Sequence, residues 1–103
     1  MITRFEWDAD KARTNAVKHR GVTFPEATTV FADPLASTFS DARHSIVEER
    51  FVIIGRSHRG RYLAVMHTVR TERDIDQRPV QVIDLISARR ATRAEISAYE
   101  EAR

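Results

Sequence analysis

The chain of 103 residues contains no cysteine, which excludes a disulfide framework and a Cys-ligated zinc and gives no sign of an oxidising compartment. Glycine and proline number only three each. No phosphate-cradling glycine loop, linker or low-complexity tract can be built from so few. No apolar run approaches the roughly 20 residues of a membrane span, and Met1-Ile2-Thr3-Arg4 is not followed by a signal-peptide core. A cytoplasmic protein with no membrane partner is expected. The histidines His19, His44, His58 and His67 lack the H-x-x-x-H and H-x-x-E-H spacings of a metal site, so neither a metal nor another cofactor is expected.

What the chain does have is 42% hydrophobic and 31% charged residues, enough for one core and therefore one domain over residues 1–103. The formal net charge is only +2, so distribution matters more than excess. All but two of the 17 cationic residues are arginine, whose planar fork suits bidentate contact with phosphate or carboxylate. A polyanion, RNA above all, or an acidic protein is the partner this favours.

The elements follow one another closely. Residues 3–7 alternate like a short strand, and Asp8 stands as N-cap of a helix over 9–19 that Gly21 stops. In that helix Lys11, Asn15 and Lys18 make a polar stripe beside Ala12, Ala16 and His19. Thr23 to Glu26 spells a capping box, opening a short helix that Asp33-Pro34 ends. A strand is expected over 35–39, then three strong ones over 49–55, 61–67 and 80–86. A second capping box, Thr92 to Glu95, opens a C-terminal helix with Ile96 and Tyr99 on its inner face. The expected fold is α+β: two N-terminal helices, a four-stranded antiparallel sheet and a C-terminal helix, with a short N-terminal strand as an optional addition.

The segment 56–60 reads as a turn between antiparallel strands. If Gly55 faces Tyr62, the register pairs Ile54 with Leu63, Val52 with Val65 and Arg50 with His67, with Arg70 just beyond. A guanidinium beside an imidazole fits phosphoryl transfer, which needs a cation for the developing charge and a group titrating near neutrality. The commoner arrangement is structural: His67 bonded to the backbone and Arg50 paired with Glu48 or Glu49. Arg56, Arg59, Arg61, Arg89 and Arg90 form a second basic group, either a solvated rim or a track for phosphates. Trp7, Phe51 and Tyr62 could stack on bases, although in so small a domain aromatics are more often core. No helix combines a basic face with helix-turn-helix spacing, so direct DNA binding has little support.

The ordered set Phe5-Glu6-Trp7-Asp8, then Lys11, Asn15 and Lys18-His19, then Gly21 to Phe24, Glu26-Ala27, Val30-Phe31 and Asp33-Pro34 resembles the BrnT family of bacterial toxins. Glu49-Arg50, Gly55, Gly60-Arg61, His67-Thr68, Arg70, Ile86 to Arg89, Ala91-Thr92, Glu95 and Tyr99 carry the resemblance through nearly the whole chain. It implies a RelE-like ribonuclease toxin that cuts RNA without a metal and inhibits translation. It also implies neutralisation by a BrnA-like ribbon-helix-helix antitoxin, in a two-plus-two complex that touches DNA only through the antitoxin. His67 is then expected to transfer protons while Arg50, Arg70 and Arg89 hold phosphate, with Lys18 and His19 approaching from the first helix, and Arg56, Arg59, Arg61 and Arg90 binding RNA. Three features depart from the family pattern: Arg20 is inserted before Gly21, the connection from Val69 to Pro79 is long enough for a flap, and Asp84 replaces an arginine. The last leaves an alternative, a catalytically weakened homologue that acts by binding the antitoxin.

Overall fold

A computed structural model describes residues 1–44 and 48–102. Five strands form one mixed sheet in the order β1-β5-β4-β3-β2, where β1 is Ile2–Glu6, β2 Ser37–Ser40, β3 Phe51–Arg56, β4 Tyr62–Arg73 and β5 Pro79–Arg90. Helices α1 (Ala9–Lys18) and α2 (Phe24–Thr28) precede β2, a 3-10 turn over Thr29–Ala32 prolongs α2, and α3 (Arg93–Glu101) closes the fold.

The α+β class matches expectation, but the sheet differs in three ways. The N-terminal strand is a full member, running parallel to β5 with Phe5 opposite Ile83 and Glu6 opposite Asp84, so the sheet has five strands and is not wholly antiparallel. The connection after Val69 is no flap: β4 continues to Arg73, and a turn closed by the Asp74 amide on the Arg78 carbonyl leads into β5. The β3–β4 register is one residue from the expected one, with Arg56 opposite Tyr62, Ile53 opposite Val65 and Phe51, not Arg50, opposite His67. The cause lies at the hairpin tip. The Ser57 amide donates to the Arg61 carbonyl and the Gly60 amide to the Ser57 carbonyl, which shortens the loop by a residue. A slip of one exchanges which side chains share a face.

One face of the sheet packs on α1 and α2. Leu63 and Val65 of β4, Ile53 of β3 and Ile83, Leu85 and Ala88 of β5 meet Val22, Phe24, Ala27 and Val30 there. On the other face, α3 covers Ile54 and Ala64 with Tyr99. The helix starts are local chemistry. Asp8 accepts from the amides of Asp10 and Lys11, and Thr92 and Glu95 complete a reciprocal capping box. Thr23 makes only half of its box: its hydroxyl accepts from the Glu26 amide, while the Glu26 carboxylate turns elsewhere. Gly55 is required by close approach, since a Cβ there would lie 2.9 Å from that of Ala36.

Candidate functional site

Beyond Asp84, β5 has no strand on its outer side, because β1 ends at Glu6. Helix α1 lies along that edge, and Asn15 joins the two. Its amide donates to the Ala88 carbonyl at 2.8 Å and to the Val22 carbonyl at 3.0 Å, and its oxygen accepts from the Ala88 amide at 2.9 Å. Asn15 is buried, which explains why a polar residue stands on this side of the helix. Ile86 is an extra residue in the ladder, a bulge that turns the last residues of β5. The C-terminal turn of α1 is thereby held against the end of β5. Between them opens a groove of about 530 Å³ lined by Lys18, His19, Arg20, Arg89 and Arg90. A second groove, sharing Lys18 and His19, continues it along α1 past Lys11 and Ser87.

Lys18, Arg20 and Arg90 are exposed, and none makes an ion pair among the described residues. Arg89 is held by Glu95 through two bonds of 2.8 and 3.0 Å, so its charge is largely neutralised and its position set. His19, the C-cap of α1, is half-buried. Burial first, and then the charges of Lys18 and Arg89, lower its pKa and favour the neutral imidazole. Cations set around a neutral imidazole can neutralise a phosphate while the imidazole accepts a proton from a hydroxyl beside it. Among the described residues, no group of three His, Asp or Glu side chains could hold a metal ion.

The hairpin tip is anchored on α2 through Glu26. That carboxylate is 3% exposed and accepts from the Ser57 hydroxyl at 2.7 Å and from Arg61, through Nε at 3.0 Å and through Nη2. The Arg61 guanidinium, foremost, holds its pKa below the usual carboxylate range against the opposing effect of burial. Arg61 also donates to the Gly21 carbonyl at 3.4 Å, tying the tip to the exit of α1. Arg59 lies 3.8 Å from Glu26, and Arg56 stacks over the Tyr62 ring at 5.3 Å. Arg61 is therefore a structural cation, while Arg59 keeps an exposed side chain.

The other expected centre is taken apart. His67 is 3% exposed on the helical face, its ring 4.9 Å from Phe31 and 5.9 Å from Phe51, with Nδ1 3.1 Å from the Val65 carbonyl. Burial lowers its pKa, so it is a neutral core residue and does not stand beside Arg50. Arg50 lies outside β3, 3.5 Å from Glu48. Arg70 points to the opposite face from His67. There Arg4, Glu6, Arg70 and Glu72 close a ring of ion pairs of 2.7 to 2.9 Å around buried Val82, which stands between Arg4 and Arg70 in the sheet. The structural alternative for His67 and Arg50 is the one the fold adopts. Asp84 stands between Glu6 and Thr68 and does not line the groove.

Of the expected site residues, then, the fold brings together Lys18, His19, Arg89 and Arg90, and separates them from His67, Arg50 and Arg70. Arg20, expected as a cation of the last helical turn and as an insertion, joins the groove; Asn15, expected in a polar stripe, holds α1 against β5, and Glu26, expected as a cap, holds the hairpin tip. Residues 7–95 match the family model described as the ribonuclease toxin, BrnT, of a type II toxin-antitoxin system. No curated protein matches the chain. Among the described residues, no helix is long and apolar enough to cross a membrane.

Proposed function

The chain belongs to the BrnT family of ribonuclease toxins of type II toxin-antitoxin systems, and from that premise we propose that the groove between α1 and β5 is where it cuts RNA, without a metal. The observation that carries this is His19, half-buried and biased to its neutral form between Lys18 and Arg89. In the proposed reaction His19 takes the proton of a ribose 2′-hydroxyl as its oxygen attacks the adjacent phosphorus; the P–O5′ bond breaks, leaving a 2′,3′-cyclic phosphate, and the departing 5′-oxygen takes a proton from water. Lys18 and Arg90 offset the charge that develops on the phosphate oxygens, and Arg89, fixed by Glu95, shapes the wall. Arg59 and Arg56 at the hairpin tip, and Lys11 along the second groove, extend a cationic path for the flanking strand.

Family membership implies a protein antitoxin. A BrnA-like ribbon-helix-helix protein in a two-plus-two complex, acting in the cytoplasm to relieve an arrest of translation, is the form of regulation proposed. The test is purified protein incubated with total RNA in EDTA, beside His19→Ala, Arg90→Ala and His67→Leu. Cleavage by the parent and by His67→Leu, with a loss of about a hundredfold or more in His19→Ala, is expected. Undiminished cleavage by His19→Ala removes the assignment. No cleavage by the parent, with growth unimpeded in a bacterial host, favours the weakened, antitoxin-binding homologue.

A further inference from the structure

Arg20 occupies a backbone conformation that arginine disfavours. Its φ is +52°, in the left-handed region, and Gly21 follows at +86°. The Gly21 amide donates to the Ala16 carbonyl at 2.7 Å, the six-to-one bond of a Schellman ending, with His19 as C-cap and Arg20 as the next residue. In that ending the position after the cap is usually glycine, because a Cβ there crowds the backbone. Space does not explain Gly21, which has nothing within 4 Å of a built Cβ; its backbone angle does. The chain therefore has glycine at the second left-handed position and arginine at the first.

The charge at a helix C-terminus favours a cation, but Lys18 already stands in the last turn. Among the described residues nothing holds the Arg20 side chain: it is exposed, makes no ion pair there, and lines the groove with Lys18 and Arg90. We propose that Arg20 is a phosphate-gripping residue of the RNA groove, kept at a strained backbone position because its guanidinium there joins Lys18 and Arg90 in lining the groove. This rests on the RNA-cutting reading of the same groove. Bidentate binding of a phosphate by Arg20 sets the path of the strand past His19, so the residue determines affinity and placement and does not itself transfer a proton.

The experiment compares the parent with Arg20→Gly, Arg20→Asn and Arg73→Gln, a cation removed at the far end of β4. Two quantities are read: Tm, and binding of a single-stranded RNA whose 2′-hydroxyls are methylated so that it is held but not cut. Glycine and asparagine relieve the backbone, so Tm rises by about 2–6 °C. Both weaken RNA binding by about fivefold to twentyfold and flatten the dependence of log Kd on log salt by about 0.7, the value of one lost contact on a single strand. Arg73→Gln leaves the salt slope at the parent's value. Parent-like affinity and slope in Arg20→Gly and Arg20→Asn, while the parent binds, overturn the role of Arg20 and leave the groove's function standing. A Tm lowered in both variants overturns the strain argument. A parent that fails to bind the methylated RNA overturns both proposals together.

Discussion

Asn15 closes both main-chain hydrogen bonds of Ala88, donating to its carbonyl at 2.8 Å and accepting from its amide at 2.9 Å, 73 residues away in the chain. The side-chain amide thus does for the open edge of β5 what a neighbouring strand would do. It also fixes where α1 ends, and therefore where Lys18, His19 and Arg20 stand relative to Arg89 and Arg90.

Asn15→Ala leaves a buried amide and two carbonyls without partners, at a cost of about 2–4 kcal/mol. Asn15→Asp keeps an acceptor for the Ala88 amide but sets a carboxylate against the carbonyls of Ala88 and Val22, and should lose at least as much. Denaturant unfolding measures the loss, and hydrogen exchange locates it: the Ala88 amide should lose protection in Asn15→Ala before the amides of β3 do. Unchanged protection at Ala88 would show that the clamp is not what holds the edge.

The reach of sequence reasoning follows from this kind of contact. Asp8, Thr92 and Glu95 are legible because a cap is completed within three residues of its origin. Asn15 and Glu26 are not. Their identities fit a surface stripe and a capping box, and the partners that bury them lie far off, at Ala88 and at Ser57 and Arg61. The strand segments were legible from their β-branched residues, but one backbone bond at the hairpin tip, Ser57 to Arg61, decided whether Arg50 or Phe51 faced His67. The parallel docking of β1 was hidden because pairing with β5 is fixed by non-local packing, with Phe5 against Phe31. The chemistry of Lys18, His19, Arg89 and Arg90 is legible residue by residue, yet their convergence depends on the Asn15 clamp.

Glu26→Gln keeps the shape of the side chain and removes the charge that Arg61 and Ser57 were built around. Arg61, 16% exposed at its side chain, is left without a full counter-charge, and a loss of about 2–4 kcal/mol is expected near neutral pH. The sign of the pH dependence is set by the lowered pKa of Glu26 in the folded state. Its contribution is complete above the unfolded carboxylate value near ~4.3 and disappears as pH falls through the folded value. The stability gap between parent and Glu26→Gln should therefore narrow as pH falls below about 4.3. A gap that stays constant through this range rules out the ion pair as its source.

His67 offers the opposite check on a residue whose chemistry is suppressed. Folding lowers its pKa, so the unfolded chain binds the proton more readily, and stability falls as pH drops below about 6.5. One such group contributes a slope of at most about 1.4 kcal/mol per pH unit. His67→Leu removes the titration while leaving the Val65 carbonyl without its partner. It should be less stable at pH 7.5, with a shallower decline between pH 7 and pH 5 than the parent; His19, shifted in the same direction, supplies the remaining slope. An equally steep decline in the variant would contradict the buried, neutral assignment of His67.

His19 differs from His67 in standing at a groove, so its titration should appear in the rate as well as in stability. A base acts only when deprotonated, and a pKa below the ordinary histidine value places the rising limb of kcat/KM below about pH 6.5, with a plateau above it. Burial is the larger cause of that shift and is unaltered by a surface change, but Lys18 contributes through its charge. Lys18→Gln removes that charge, makes the imidazolium less unfavourable and raises the pKa. The limb should therefore move to higher pH, while the plateau falls through the loss of a phosphate contact. Two parameters shift in directions that one residue's placement dictates. A merely structural lysine would lower the plateau through instability without moving the limb, and a limb that stays in place would separate Lys18 from His19 in the reaction.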